Sequence, residues 1–121
     1  MNIKQAFLNY ENKLKKIDIE EIGTSIYIKK WSGLDRARIL PQITGIDELA
    51  EDQKYKEMFL GMAKIIRETA LEKDGSKAFE DTQDDFNLLI NSPGDIIQDI
   101  FEEIMSYNGM GEKEIKEAAK N

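Results

Sequence analysis

At 121 residues, with 40% hydrophobic and 34% charged residues, the chain is expected to form a single modest globular domain over 1–121. It contains no cysteine and no histidine, which excludes a disulfide framework, a thiolate nucleophile or metal site, and any Ser-His or Cys-His dyad. The net charge of −7 argues against nucleic acid as a partner.

No apolar run approaches the length of about 20 residues that spans a bilayer, so no membrane partner is expected. The first residues, Met1 to Phe7, lack the apolar core of a signal peptide, and the absence of cysteine fits a cytoplasmic protein. Residues 2–16 read as a short amphipathic helix with Ile3, Phe7, Leu8, Tyr10 and Leu14 as its apolar positions. Lys4, Lys13, Lys15 and Lys16 against Glu11 leave it basic. Such a terminal segment either packs on the domain or forms an arm that orders on a partner.

The period then changes. Ile17 and Ile19 alternate with acids, Gly23-Thr24 is a turn, and Ser25 to Trp31 is rich in strand formers, so an antiparallel hairpin is expected within 17–31. Ile26 and Ile28 face one way, Tyr27, Lys29 and Trp31 the other. Ser32 with Asp35 three residues on marks a helix start, and Pro41 marks its end. Arg36 and Arg38 lie two apart and point to different sides, so they make no phosphate clamp and are either solvated or separate salt-bridge partners. A longer helix is expected from about Asp47, with a stripe of Leu49, Tyr55, Met58, Phe59, Met62, Ile65 and Ile66. From 65 to 79 two readings stay open: the helix continues to an Asp74-Gly75 stop, or Ile65, Arg67, Thr69 and Leu71 run extended into a second hairpin turning at Asp74-Gly75. The hairpin is preferred. Thr82 and Asp85 cap a short helix with Phe86, Leu89 and Ile90 inward.

The clearest signal is the helix over 93–107. Ile96, Ile97, Ile100, Phe101, Ile104 and Met105 share one face of a 3.6-residue period. Ser92 is its expected N-cap, Pro93 its first residue, and Asn108-Gly109 its left-handed stop. A weak terminal helix is expected over 112–120. Between Ala78 and Glu112 nine acids occur (Glu80, Asp81, Asp84, Asp85, Asp95, Asp99, Glu102, Glu103 and Glu112) and no Lys or Arg. That acidic third is either a solvated helix face or a patch for a basic partner protein.

Little chemistry is written in the chain. Asp81, Asp84 and Asp85 lack the calcium-loop pattern, the glycines form no phosphate loop, and no serine has a histidine base. No enzyme activity, metal or cofactor is expected. The fold class expected is α+β, mostly helical with a small antiparallel hairpin.

The order of these motifs resembles the tail assembly chaperones of long-tailed, siphovirus-type phages and prophages of Gram-positive bacteria. The matching features are Ile26 to Arg36 across the strand end and the Ser32-capped helix, Leu71 to Phe79 with its Asp74-Gly75 turn, Thr82 to Asp85, Ser92-Pro93, Asn108-Gly109, and Glu117 to Asn121. Together they span about 20–121. The resemblance implies a non-enzymatic protein that binds the tape measure protein, helps recruit tail tube protein around it in the bacterial host cytoplasm, and is absent from the mature virion. It also implies that this chain is the shorter of two frameshift-related forms. No catalytic motif comes with it. Trp31, Ile97, Phe101, Glu102, Glu103 and Met105 are the candidate partner-binding residues. The alternatives are a structural head–tail connector or tail completion protein, and an acidic regulatory, antitoxin-like protein that binds a basic partner.

Overall fold

A computed structural model describes residues 2–111. The terminal helix expected over 112–120 lies outside the described residues. The chain opens with α1 (Ile3–Leu8), started by a capping box in which Asn2 and Gln5 exchange side-chain and backbone hydrogen bonds. The helix is shorter than expected and buries none of its residues. Lys15 and Lys16, read as its basic end, belong instead to the first strand.

That strand, β1 (Lys15–Ile19), pairs antiparallel with β2 (Thr24–Ile28), with Ile17 opposite Ile26 and Lys15 opposite Ile28. The reversal is a single 3-10 turn over Glu20–Ile22 closed by Gly23, whose φ of 67° is where a side chain would be strained. Strand alternation puts Ile17, Ile19, Ile26 and Ile28 on the inner face, and all four are buried. The other edge of β2 is also satisfied, because Tyr27 and Leu71 exchange backbone hydrogen bonds of 2.9 and 2.8 Å.

The Ser32–Asp35 capping box opens α2 (Gly33–Ile39) as expected. Pro41 turns the chain through a 3-10 segment. The long helix α3 (Glu51–Thr69) starts four residues later than expected, since Asp47 lies in a separate 3-10 turn. Its stripe is correct only in the second half. Met62, Ile65 and Ile66 are buried and Met58 and Phe59 pack against the core, whereas Tyr55 is exposed and Leu49 precedes the helix.

The helical alternative holds through Thr69, which overturns an extended strand over 65–69. Ile65 and Ile66 are fully buried when the segment is helical, and that burial outweighs their β propensity. The Asp74-Gly75 turn does form, bounded by one antiparallel bridge between Leu71 and Lys77. Gly75 has a φ of 89°, and the Asp74 carboxylate accepts from the Ser76 amide and hydroxyl.

Thr82 caps α4 (Gln83–Ile90) through the Asp85 amide. Phe86 and Leu89 point inward, while Ile90 stays partly exposed. The last helix, α5 (Gly94–Tyr107), has all six expected apolar residues in the core. Its start differs from expectation: Pro93 takes the N-cap place and Ser92 does not cap. The Ser92 hydroxyl donates instead to the Leu88 carbonyl, 2.8 Å away, finishing α4. At the other end Gly109, at a φ of 72°, supplies the left-handed stop. The core lies where α5 packs on α3 and across β1, closed by Ile39, Ile43, Phe86, Leu89 and Met110.

Candidate functional site: an acidic cleft and an apolar groove

β1 and α5 lie side by side in opposite directions, so the Lys15 end of the strand meets the Glu103 end of the helix. The two periods that build the core also build the surface between them. On α5 the buried set leaves Asp99, Glu102 and Glu103, spaced i, i+3 and i+4, on the adjoining outer face. On the hairpin, strand alternation and the 3-10 turn turn Asp18, Glu20 and Glu21 the same way. These six carboxylates line one cleft of about 530 Å³ whose floor is Ile17, Ile19, Ile96 and Ile100.

Only weak ties hold the carboxylates. Lys15 Nζ is 3.2 Å from Glu103 and Lys16 Nζ is 3.6 Å from Asp18, both pairs in solvent, and Gln98 donates to Glu102 at 3.1 Å. The Ser25 hydroxyl donates to Asp18 at 2.7 Å; together with the Lys16 charge it holds that carboxyl below its usual range. The arrangement leaves a ridge of carboxylates over an aliphatic floor. Its chemistry is complementary to a segment with a basic flank and an apolar face. Among the described residues, no group of three or more acids stands close enough to hold a metal ion.

The cleft adjoins a second concavity at the turn end of the hairpin and shares Ile19, Ile96 and Ile100 with it. This groove has a volume of about 400 Å³. It runs between the hairpin turn, the 71–79 segment and the α4–α5 junction, and is lined by Ile22, Ile26, Phe79, Leu88, Pro93 and Ile97 among others. At its rim Ile22 and Leu88 are 56% and 60% exposed.

The candidate residues read from sequence divide accordingly. Glu102 and Glu103 are exposed in the cleft. Phe101 and Met105 are core residues and line neither concavity, whereas Ile97, also in the core, contributes to the floor of the apolar groove. Trp31 is half-buried away from both concavities, packed against the core beside Lys29, Asp35 and Arg38.

Asn108 is a residue that sequence reasoning took only for a helix stop. It is buried; its Oδ1 accepts from the Trp31 amide at 2.6 Å and its Nδ2 donates to the Ile104 carbonyl at 2.9 Å. Its own carbonyl accepts from the Arg36 guanidinium. One residue, through its side chain and its carbonyl, thus ties the β2–α2 link and α2 to the end of α5. Asp18, Glu20 and Glu21 were also missed, because their membership depends on β1 lying beside α5. The only signal was the alternation of acids with isoleucines.

Compared with family models, curated proteins and solved structures, the chain matches none.

Proposed function

We propose that this chain is a tail assembly chaperone of a siphovirus-type phage or prophage, a non-enzymatic protein that binds the tape measure protein and assists tail tube assembly in the bacterial host cytoplasm. The observation that carries the reading is the acidic cleft with its aliphatic floor. A chaperone for a long helical scaffold must shield apolar helix faces and stay soluble itself, and a carboxylate-rimmed apolar trough serves both needs. The client segment fitted by that chemistry is a basic amphipathic helix. Support also comes from the motif order: Ser32–Asp35, Asp74-Gly75, Thr82–Asp85 and Asn108-Gly109 all lie at caps and turns that build the fold around the cleft.

The test is co-expression with the tape measure protein encoded beside it, followed by affinity capture and a solubility assay. Soluble tape measure protein that co-purifies is the expected result. An insoluble client with no complex, or the absence of such a neighbouring gene, overturns the reading.

The same six carboxylates favour a second reading, an acidic regulator that captures a basic DNA-binding protein or toxin. Tight binding to such a partner, with none to the tape measure protein, would establish it instead. Detection of the chain in purified virions would point to a structural connector.

A further inference from the structure

The hairpin has two outer edges, and only one is bonded. Tyr27 of β2 gives both its backbone groups to Leu71. In the alternation of an antiparallel ladder its opposite number Lys16, and Asp18 two residues on, therefore turn their amides and carbonyls away from β2. Among the described residues no backbone hydrogen bond reaches those groups. β1 contains no proline, and its register with β2 runs from Lys15 to Ile19 without a bulge, so neither of those devices blunts the edge.

The acidic cleft opens on this side. It is lined by Ile17, Asp18 and Ile19 of β1 and by no residue of β2. Its far wall is the outer face of α5, with Asp99, Glu102 and Glu103. A strand laid antiparallel along β1 would exchange hydrogen bonds with both backbone groups of Lys16 and of Asp18. Its side chains beside Ile17 would lie toward the floor of Ile96 and Ile100, and those opposite Lys16 and Asp18 would point outward. The carboxylates of the cleft, with only Lys15 and Lys16 paired to them, favour Lys or Arg in such a strand. A second copy brings the same carboxylates, so like charge opposes the pairing of two β1 edges.

We propose that β1 is an open edge for strand addition: an extended partner segment of alternating aliphatic and Lys or Arg residues enters the acidic cleft and becomes the third strand of the sheet. Main-chain hydrogen bonds hold it, its aliphatic side chains cover the floor, and its basic ones meet the carboxylates. A helix seated in the same cleft bonds its own amides and carbonyls internally and leaves the edge to water. The extended segment is thus a second kind of occupant that excludes the helical client, and the inference does not rest on that client's identity.

The experiment titrates the full chain, without any client, with a blocked heptapeptide of alternating Lys and Val. Two modified peptides keep its charge and its side chains. One is N-methylated at the Lys amides, which face the edge; the other is N-methylated at the Val amides, which face away. The unmodified and Val-methylated peptides should bind alike. The Lys-methylated peptide should bind about tenfold more weakly, since its donors to the Lys16 and Asp18 carbonyls are lost. The unmodified peptide should also slow hydrogen exchange at the Lys16 and Asp18 amides. In the protein, Asp18→Pro removes one edge donor and should bind the peptide more weakly than Asp18→Ala, which loses the same carboxylate; a proline is tolerated where the amide faces solvent. No binding of the unmodified peptide, equal affinity for the two methylated peptides, or Lys16 and Asp18 amides already protected in the free chain by a second copy would each overturn the proposal.

Discussion

Asn108 and Asp35 show two ways in which a polar side chain can matter in this chain. Asn108 is buried and neutral, and each hydrogen-bonding group of its side chain has a partner from a different element or turn. Replacing it with Ala leaves the Trp31 amide and the Ile104 carbonyl without that partner. The expected cost is about 1–3 kcal/mol, read as a lower urea midpoint with an unchanged slope. Asp35 is exposed enough for its contribution to depend on charge. Its carboxylate is held below the ordinary range chiefly by the Ser32 amide that donates to it, helped by the Ser32 hydroxyl and Arg38 against a small desolvation penalty. A lowered folded-state pKa favours the folded chain above the unfolded value and loses that advantage as pH falls through the folded one. Asp35→Asn should therefore melt at a lower temperature than wild type at neutral pH. The gap should narrow once the pH drops below about 4, where the wild-type carboxylate also protonates. Thermal scans across that window check the sign.

At the scale of elements, legibility followed how far each helix depends on its neighbours. α5 was readable because its six apolar positions repeat without interruption, and every one is in the core. α3 was readable only where it is covered; its first half projects past the core, and nothing in the period of Tyr55 distinguishes an exposed apolar residue from a buried one. Thr69 ends a helix and Leu71 begins a bridge to Tyr27, so the 65–79 segment combines parts of both readings. Ser92 was misplaced for a local reason. A hydroxyl at that point can bond forward to α5 or back to Leu88, and the direction is set by the tight α4–α5 junction rather than by residue type. Gly61 tests the role of packing between elements. A Cβ there would stand 2.8 Å from the Gln42 carbonyl oxygen and 3.1 Å from the Ile43 side chain. In an isolated helix Gly→Ala is stabilising by about 1 kcal/mol. Here the backbone atom cannot retreat without moving the Pro41 turn, so Gly61→Ala is expected to destabilise by about 1–3 kcal/mol. A rise in melting temperature would show that the turn yields instead.

At the scale of the whole molecule, one long apolar stripe and one short hairpin do two things at once. The inward faces of β1 and α5 make the core, and their outward neighbours, three acids from each side, make the cleft. The acidic third of the chain was visible in the sequence, but half of the cleft comes from Asp18, Glu20 and Glu21, which lie far from α5 along the chain and join it only through antiparallel packing. Under the proposed function, this separation of inner and outer faces makes fold and client binding independently adjustable. Phe101→Ala should cost about 3–5 kcal/mol, because the ring is buried among α3, α5 and the hairpin; any loss of client binding would then follow from unfolding. Glu102→Lys/Glu103→Lys should do the opposite. Among the described residues, the only ion pair broken is the solvent-exposed one between Lys15 and Glu103, worth at most about 1 kcal/mol, so the melting temperature should move little. Two reversed charges in a cleft of six carboxylates should weaken capture of a basic client about tenfold and flatten the dependence of affinity on salt. Titration of the co-purified client at low and high ionic strength measures both. Equal affinity for the variant and the wild type at low salt would remove the cleft as the client's seat and leave the adjoining groove rimmed by Ile22 and Leu88 as the apolar surface to probe.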